Sequence, residues 1–222
     1  MILVTAATAF EMQAFTRARA QQAGPKQPVK QLLCGIGPVE AALHLSVFLS
    51  RAKQLPEAVV NLGIAGAYDR QNQPAAVLDI CLAEREELGD LGKQEDGRIE
   101  PLLVKNNVIP CSFAVDQPLL ERMAAGLQSA GIVWKRGRFI TVCCASGDRA
   151  RGDMLLARYP DALCENMEGA ALARVCGHYQ VPFAEIRCIS NMVDDPDKQR
   201  WLLQEACSRC GQAAAILFQE IV

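Results

Sequence analysis

The sequence predicts a single-domain, three-layer α/β/α fold with a central mixed, mainly parallel sheet. Two observations predict it: short apolar runs alternate with helical patterns, and small or polar residues follow these runs at several places. Strands that alternate with helices are typical of a parallel sheet that helices cover on both faces. The 222 residues have the length of one such domain, and no linker, repeat or low-complexity tract divides them. We therefore expect one domain over 1–222.

The first half of the chain contains four predicted strands, over 2–6, 29–34, 58–62 and 79–83. Helical patterns follow the first two strands, one through about residue 21 and one over 38–53. Pro38 suits the first turn of the second helix. The glycine-rich segment Gly63–Gly66 is predicted to close the third strand with a turn.

The second half is irregular at first. Residues 84–137 mix charge and glycine around a strand candidate at 101–104 and a helix at about 117–130. Beyond them the alternation returns. The pattern predicts strands over 139–145, 162–165 and 183–190, and helices ending near 158, over 167–179 and over 196–221.

Composition excludes several classes of function. The net charge is −2 and the pI about 5.8, so no basic field attracts nucleic acid or anionic lipid. The apolar runs are shorter than the roughly 20 residues that cross a bilayer. The N-terminal stretch has no charged region and reaches Glu11 early, unlike a signal peptide. We expect a cytoplasmic protein without nucleic-acid or membrane partners.

The ten cysteines and two histidines also limit the chemistry. Cysteines inside apolar runs, among them Cys143 and Cys144, are typical of buried free thiols in a reducing compartment. Cys207 and Cys210 form the one C-x-x-C pattern, which without a second pair predicts structural thiols rather than a zinc or redox site. Both histidines lie in amphipathic helical patterns, so neither a Ser-His-Asp triad nor a histidine metal site is expected.

Residues able to bind a ligand follow the predicted strands. They are Glu11, Gly35–Gly37, Gly63–Gly66, Ser146–Asp148 and Ser190–Asn191. Because the carboxyl ends of parallel strands meet at one edge of a sheet, and ligands bind there, we expect these residues to border one crevice.

Two carboxylates near this crevice are candidates for catalysis. Glu11 follows the first strand, and Glu168 precedes small residues that let another surface approach closely. Two carboxylates can cleave a glycosidic bond through an oxocarbenium-like transition state, one activating water and the other holding the sugar hydroxyls. Asn191 can bind a leaving 6-oxo purine through its amide acceptor and donor. Structural alternatives stay open: a helix-terminal charge for Glu168, a solvated carboxylate for Glu11 and a turn asparagine for Asn191.

Six segments carry a family resemblance: 7–11 (ATAFE), 35–37 (GIG), 61–66 (NLGIAG), 145–148 (ASGD), 166–171 (NMEGAA) and 189–191 (ISN). The Met-Glu-Gly block followed by Ser-Asn is the most specific of them. The chain resembles the purine nucleoside phosphorylase/nucleosidase superfamily, and within it the futalosine hydrolases of menaquinone biosynthesis, relatives of methylthioadenosine/adenosylhomocysteine nucleosidase. The resemblance implies a nucleoside phosphorylase-like version of the predicted fold. Residues 84–137 match poorly.

The resemblance also implies roles for single residues. Glu11 matches the glutamate that activates the attacking water, and Glu168 the glutamate that grips the ribose 2′- and 3′-hydroxyls. Asn191 stands where adenine-specific nucleosidases carry a catalytic aspartate, which favours a 6-oxo purine such as hypoxanthine. Ile64 stands where many relatives carry serine. Residues at substrate-binding positions are Phe10, Ile64, Ala65, Gly66, Ser146, Asp148, Arg149, Met167 and Ser190.

The implied reaction is cleavage of futalosine by water to hypoxanthine and dehypoxanthine futalosine. It needs no metal or organic cofactor, and the family typically forms homo-oligomers whose neighbouring subunit can complete the 5′ subsite. Hydrolysis is favoured over phosphorolysis because neither the loop at 6–11 nor the residues before Gly63 supply an arginine for phosphate.

The carboxylated aromatic group of futalosine beyond C5′ needs an apolar slot and a cation. The candidates are Phe10, Phe113 and Arg136 or Arg138, with Trp201 packing under the site. Three other interpretations stay open: a methylthioadenosine nucleosidase, a purine nucleoside phosphorylase, and a nucleobase-binding protein without turnover. A Rossmann-type dinucleotide binder is disfavoured because the segment GIGPVE at 35–40 lacks the third glycine of that motif.

Overall fold

The computed structural model describes residues 1–22, 28–69, 75–105, 107–193, 195, 197 and 201–220. Its strands are β1 (Ile2–Ala6), β2 (Val29–Leu33), β3 (Ala58–Ala67), β4 (Ile80–Leu88), β5 (Lys93–Glu95), β6 (Arg98–Glu100), β7 (Leu103–Val104), β8 (Asn107–Val108), β9 (Ser112–Ala114), β10 (Trp134–Thr141), β11 (Ala162–Asn166) and β12 (Phe183–Met192). Its helices are α1 (Ala9–Gln21), α2 (Pro38–Arg51), α3 (Gln117–Ser129), α4 (Arg149–Arg158), α5 (Gly169–Tyr179) and α6 (Leu203–Glu220).

An eight-stranded mixed sheet forms the centre, in the order β11-β10-β4-β12-β3-β1-β2, with β9 paired to β4. Five pairings are parallel, including those of β3 with β1 and with β12. The pairings of β11 with β3, β12 with β4 and β4 with β9 are antiparallel. Helix α6 packs against α1 and α3, and α5 packs against α2. The predicted three-layer fold with a mixed, mainly parallel sheet is confirmed.

Local sequence signals set the helix starts. Thr8 caps α1 in a capping box with Glu11, and Asp148 caps α4 by accepting a hydrogen bond from the Arg151 N–H. Before α2, Gly37 has a φ of 90°, a conformation that glycine adopts without strain. Pro38 then occupies the first turn, as predicted.

The central strands are buried on both faces. Every residue of β1 and β11 is buried, as are most residues of β3 and β12. Such strands are expected to be continuously apolar. Asn61, Glu185 and Arg187 depart from this pattern, although each is at most 2% exposed. Because buried polar and charged groups need partners, these residues indicate a hydrogen-bonded polar region inside the sheet.

Two strand boundaries were predicted wrongly. Strand β3 does not end in a turn at Gly63–Gly66; it continues to Ala67, because β12 pairs with it that far and β11 pairs with Gly66. Strand β10 lies over Trp134–Thr141 instead of 139–145, because it pairs along the whole of β4. The cysteines at 143 and 144 therefore lie beyond the strand and are exposed rather than buried.

The remaining differences are smaller. Helix α5 begins at Gly169, two residues after the predicted start, because Asn166 accepts hydrogen bonds from the N–H groups of Glu168 and Gly169. The last helix begins at Leu203; of its predicted range, 196, 198–200 and 221 lie outside the described residues. The strand expected at 101–104 is reduced to Leu103–Val104.

The C-x-x-C pair lies in helix α6. Cys207 and Cys210 are buried free thiols of α6, and burial raises the pKa of both to about 12. Among the described residues, no helix combines the length and apolar character needed to cross a membrane.

Candidate active site

A cavity of about 370 Å³ opens where β1, β3, β11 and β12 end. These ends come together because β1 and β12 both run parallel to β3. The volume is within the range of small-molecule sites. Its polar and charged lining residues are Thr8, Glu11, Ser146, Glu165, Asn166, Glu168, Arg187, Ser190 and Asn191, and its apolar ones include Phe10, Ile36, Ile64, Met167, Trp201 and Leu203.

Glu11 is held in the first turn of α1. Its Oε2 accepts hydrogen bonds from the Thr8 N–H at 3.0 Å and the Thr8 hydroxyl at 2.8 Å. Its Oε1 accepts one from the Ile64 N–H at 3.2 Å. The side chain is 6% exposed, so it is not the solvated carboxylate that the structural alternative describes. The capping box thus fixes a carboxylate that lines the cavity.

Glu168 stands at the N-cap position of α5 but faces protein rather than solvent. Its Oε1 accepts a hydrogen bond from the Gly37 N–H at 3.1 Å, and its Oε2 accepts one from Arg187 Nη2 at 3.1 Å. The predicted glycine turn before α2 therefore supplies a backbone donor to this carboxylate. Glu11 and Glu168 are both lining residues of the same cavity.

Arg187 links the site to the sheet. Its Nε donates to Glu185 Oε1 at 2.7 Å, its Nη2 to Glu168 Oε2 at 3.1 Å and its Nη1 to the Ile64 carbonyl at 3.1 Å. This residue was not among the site residues predicted from the sequence. The signal was available, since Glu185 and Arg187 are two apart in a strand that is otherwise apolar and must face the same side.

Gly63 permits the close approach of these groups. A Cβ at this position would stand 2.5 Å from Arg187 Nη1 and 2.5 Å from Glu11 Oε1. Real Cβ atoms do not come that close to other atoms. The segment Gly63–Gly66 therefore contributes to the site because Gly63 has no side chain, and it does so from within a strand rather than from a turn.

The buried charges shift one another's pKa. Burial raises the pKa of Glu11 and the charge of Glu168 adds to this, whereas Arg187 and the hydrogen bonds from Thr8 and Ile64 lower it; burial prevails. Burial lowers the pKa of Arg187, but the carboxylates of Glu185, Glu168 and Glu11 outweigh it and raise that pKa well above its usual value. Arg187 is thus permanently charged, and Glu11 holds its proton to a higher pH than an ordinary glutamate.

Asn191 lies at the end of β12. The Ser190 hydroxyl donates to its Oδ1 at 2.7 Å, and its Nδ2 donates to the Met192 carbonyl at 3.1 Å. Its Nδ2 also lies 3.2 Å from where a Cβ of Gly66 would stand, so this second glycine leaves room for the amide. One lone pair and one N–H of the amide remain for a ligand.

Glu165 binds the loop that contains Ser146. This residue was not among the site residues predicted from the sequence. Its Oε1 accepts a hydrogen bond from the Ser146 N–H at 2.8 Å. Its Oε2 accepts one from the Ser146 hydroxyl at 2.7 Å and one from the Tyr68 hydroxyl at 3.0 Å. These contacts hold Ser146 at the cavity wall.

Most of the predicted site residues come together. Among the residues that line the cavity are Glu11, Glu168, Asn191, Phe10, Ile64, Ala65, Gly66, Ser146, Met167 and Ser190, together with Trp201. Asp148 and Arg149 do not line it. Asp148 caps α4, and Arg149 pairs with Asp153 at 3.6 Å on the exposed side of that helix.

The cation and the aromatic residue proposed for the 5′ group lie elsewhere. Arg136 pairs with Glu84 and Glu121, and Arg138 with Glu87 and Asp161, both away from the cavity. Phe113 lies in β9 at the edge of β4 and packs against the core. Of Phe10, Phe113, Arg136 and Arg138, only Phe10 lines the cavity, where it is 49% exposed.

Comparison with known proteins gives the family. A family model described as the Phosphorylase superfamily matches residues 8–222. The futalosine hydrolase of Acidothermus cellulolyticus is 31% identical over 84% of this chain and 73% of its own length. The 5′-methylthioadenosine/S-adenosylhomocysteine nucleosidase of a Marinomonas species is 27% identical over 86% of this chain and 79% of its own length.

Solved structures share the fold. A futalosine hydrolase mutant of Helicobacter pylori superposes with a TM-score of 0.81 at 16% identity, covering 99% of this chain and 98% of that one. The Neisseria meningitidis 5′-methylthioadenosine/S-adenosylhomocysteine nucleosidase in complex with methylthio-immucillin-A gives a TM-score of 0.80 at 19% identity, covering 97% of each chain. The fold and the sequence matches together establish that this chain belongs to the phosphorylase superfamily.

Proposed function

We propose that this protein is a nucleosidase that hydrolyses the N-glycosidic bond of a 6-oxo purine nucleoside, with futalosine as its substrate and hypoxanthine as one product. The observation that carries the proposal is the convergence of Glu11, Glu168 and Asn191 on one cavity. The three groups offer a base for water, an acceptor for sugar hydroxyls and an amide for the leaving purine.

Glu168 is the proposed ribose-binding group. A carboxylate accepts hydrogen bonds from two vicinal hydroxyls, and its negative charge stabilises the positive charge that develops on the sugar in an oxocarbenium-like transition state. Arg187 and the Gly37 N–H fix its orientation at 3.1 Å each. Met167, the preceding residue, also lines the cavity and offers an apolar surface for the sugar ring.

Glu11 is the proposed general base. Its raised pKa makes the ionised form a better proton acceptor than an ordinary glutamate, while the charge of Arg187 limits the rise. The carboxylate takes a proton from water as the oxygen attacks C1′, and the purine leaves with the electrons of the broken C–N bond. Thr8 and Ile64 hold the carboxylate in place for this transfer.

Asn191 is the proposed group for the leaving purine. Its free lone pair accepts a purine N–H, and its remaining N–H donates to the exocyclic oxygen of a 6-oxo purine. The Ser190 hydroxyl at 2.7 Å fixes the amide in that orientation. This pattern matches hypoxanthine and mismatches adenine, which presents a donor where the amide also presents one.

The charge of the cavity supports water over phosphate as the attacking group. Among its described lining residues, Glu11, Glu165 and Glu168 are acidic and Arg187 is the one basic residue. Arg187 is already bonded to Glu168 and Glu185. A phosphate dianion needs uncompensated donors, and this arrangement repels it.

The futalosine hydrolase relative supports the specific substrate, as does the apolar part of the cavity. Phe10, Ile36, Trp201 and Leu203 offer an apolar wall for an aromatic 5′ substituent. Relatives named as methylthioadenosine nucleosidases make an adenine nucleoside the second candidate, and Asn191 argues against it.

The test is product release from futalosine, inosine and methylthioadenosine, each with and without phosphate, followed by chromatography. We expect hypoxanthine from futalosine at a rate that phosphate does not change. Adenine from methylthioadenosine would refute the role of Asn191, and phosphate-dependent release would establish a phosphorylase instead. Binding without turnover would show a nucleobase-binding protein, and Glu11→Gln would then bind as the unmodified protein does.

A further inference from the structure

A second pair of carboxylates lies behind the site and takes no direct part in the proposed reaction. Glu86 on β4 and Glu185 on β12 are both 0% exposed. They meet over Gly169, since Oε1 of Glu86 and Oε2 of Glu185 both crowd the point where a Cβ of that residue would stand. Two ionised carboxylates so placed repel each other strongly in a buried environment.

Glu86 is embedded in a network of neutral donors. The Thr141 hydroxyl lies 2.7 Å from its Oε2, and Asn166 Nδ2 donates to its Oε1 at 2.9 Å. Glu185 is bonded on one side only: its Oε1 accepts from Arg187 Nε at 2.7 Å. Its Oε2 has no donor among the described residues, unless the neighbouring carboxyl of Glu86 carries a proton.

We propose that Glu86 and Glu185 share one proton and together act as the positioning unit for Arg187 and Glu168, so that loss of this proton at alkaline pH weakens nucleoside binding. A proton between the two carboxyls supplies the donor that Glu185 Oε2 otherwise lacks and removes the repulsion. The inference rests on the proposed function, because nucleoside turnover is its kinetic readout.

The surrounding charges favour this proton. Arg187 is the cation that faces the pair, and it is shared with Glu168 and Glu11 on the cavity side. From β11 the Cys164 thiol faces both carboxylates, and their charges contribute to its raised pKa. One guanidinium against four buried carboxylates leaves an excess of negative charge. Burial and the neighbouring Glu185 accordingly raise the pKa of Glu86 well above its usual range.

Two routes connect the pair to Glu168. Through Glu185, Arg187 is oriented so that its Nη2 meets the Glu168 carboxylate at 3.1 Å. Through Glu86, the amide of Asn166 is oriented so that its Oδ1 accepts the Glu168 N–H at 2.9 Å. One route fixes the side chain and the other the backbone of the proposed ribose-binding residue. Losing the proton disturbs both routes together.

The direct test is infrared spectroscopy of the whole protein. We expect the C=O stretch of a protonated carboxylic acid in the unmodified protein at neutral pH, and its loss at alkaline pH. The same band should be absent from Glu86→Gln and present in Glu11→Gln, which assigns it. Absence of the band from the unmodified protein, or its persistence in Glu86→Gln, overturns the inference. This result does not depend on which nucleoside, if any, is turned over.

The kinetic test compares KM across pH in the unmodified protein and three variants of the pair. The unmodified protein should show a KM that rises as the band disappears, and Glu86→Gln, whose neutral amide can donate to Glu185, should show a KM independent of pH over that range. Glu86→Ala and Glu185→Gln should raise KM about 10- to 100-fold at neutral pH, since each breaks a hydrogen bond to a charged group.

Glu84→Gln is the matched control, because Glu84 lies on the same strand, is exposed and pairs with Arg136. It should leave both the band and the KM profile unchanged. An alkaline rise of KM that is equal in Glu86→Gln and the unmodified protein overturns the proposed positioning role. If no nucleoside is turned over, the proposed function fails, and the infrared result still decides whether the proton is shared.

Discussion

Replacing Gly63 by alanine is predicted to damage the site although no charged residue is replaced. The added Cβ would stand 2.5 Å from both Arg187 Nη1 and Glu11 Oε1. To reach the 3.4 Å of an ordinary contact, these atoms must retreat by about 0.9 Å. A displacement of about 1 Å at reacting groups costs on the order of 100-fold in rate. Overpacking of this kind costs typically about 1–3 kcal/mol of stability.

The assay is hypoxanthine release from futalosine under initial-rate conditions, together with thermal unfolding. We expect Gly63→Ala to fold with a lowered Tm and to lose about 100-fold in kcat/KM. Gly177→Ala is the matched control, because nothing lies within 4 Å of its added Cβ in helix α5. It should keep full activity and gain about 0.5–1 kcal/mol of stability. A folded Gly63→Ala protein with unchanged kcat/KM would refute the argument that this glycine makes room for Glu11 and Arg187.

Three further predictions concern single side chains. Glu11→Gln should lower kcat about 10²- to 10⁴-fold. The unmodified enzyme should lose kcat as pH falls through the raised pKa of Glu11, because the ionised form is the base. If kcat of Glu11→Gln falls at acid pH in the same way, this role of Glu11 is contradicted. Asn191→Asp should shift the ratio of kcat/KM from 6-oxo toward 6-amino purine nucleosides by about 10- to 100-fold, and an unchanged ratio shows that the amide does not select the base. The exposed apolar residues Val39 and Leu43 are one helical turn apart in α2, which begins two residues after the cavity-lining residue Ile36, so we expect a second copy to pack there. Sedimentation should show an oligomer that Leu43→Glu dissociates, and a monomeric unmodified protein contradicts the expectation.

Much of the fold and most of the cavity wall follow from the sequence. Alternating apolar runs and helix caps place the strands and helices, and the rule that strand ends meet places Glu11, Glu168 and Asn191 together. Their roles in the reaction stay predictions. Asp148, expected at the substrate, caps α4 instead, because a charged residue after a strand serves equally well as a helix cap and only the packed structure separates the two uses.

Other features depend on contacts that are distant in the sequence. Gly63 and Gly66 look like turn residues because glycine is common in turns, yet pairing with β12 and β11 keeps them in β3. Arg187 is one of two charged residues in β12, and its partners Glu168 and Ile64 come from two other parts of the chain. Sequence periodicity reports which face a residue occupies and does not report which partner it meets there.

The proposed arrangement of charge gives the irregular segment 84–137 a role in the site. In the proposed reaction, the three acidic lining residues and the one bonded arginine stabilise a cationic transition state and repel phosphate, so the same charges favour both bond cleavage and water. Such an excess of buried negative charge is tolerated only if a proton or a further cation offsets it. Strand β4, whose Glu86 lies in the region 84–137, supplies the carboxyl that can hold that proton. In the proposed mechanism the region contributes to catalysis through the electrostatics of Arg187, although none of its described residues lines the cavity.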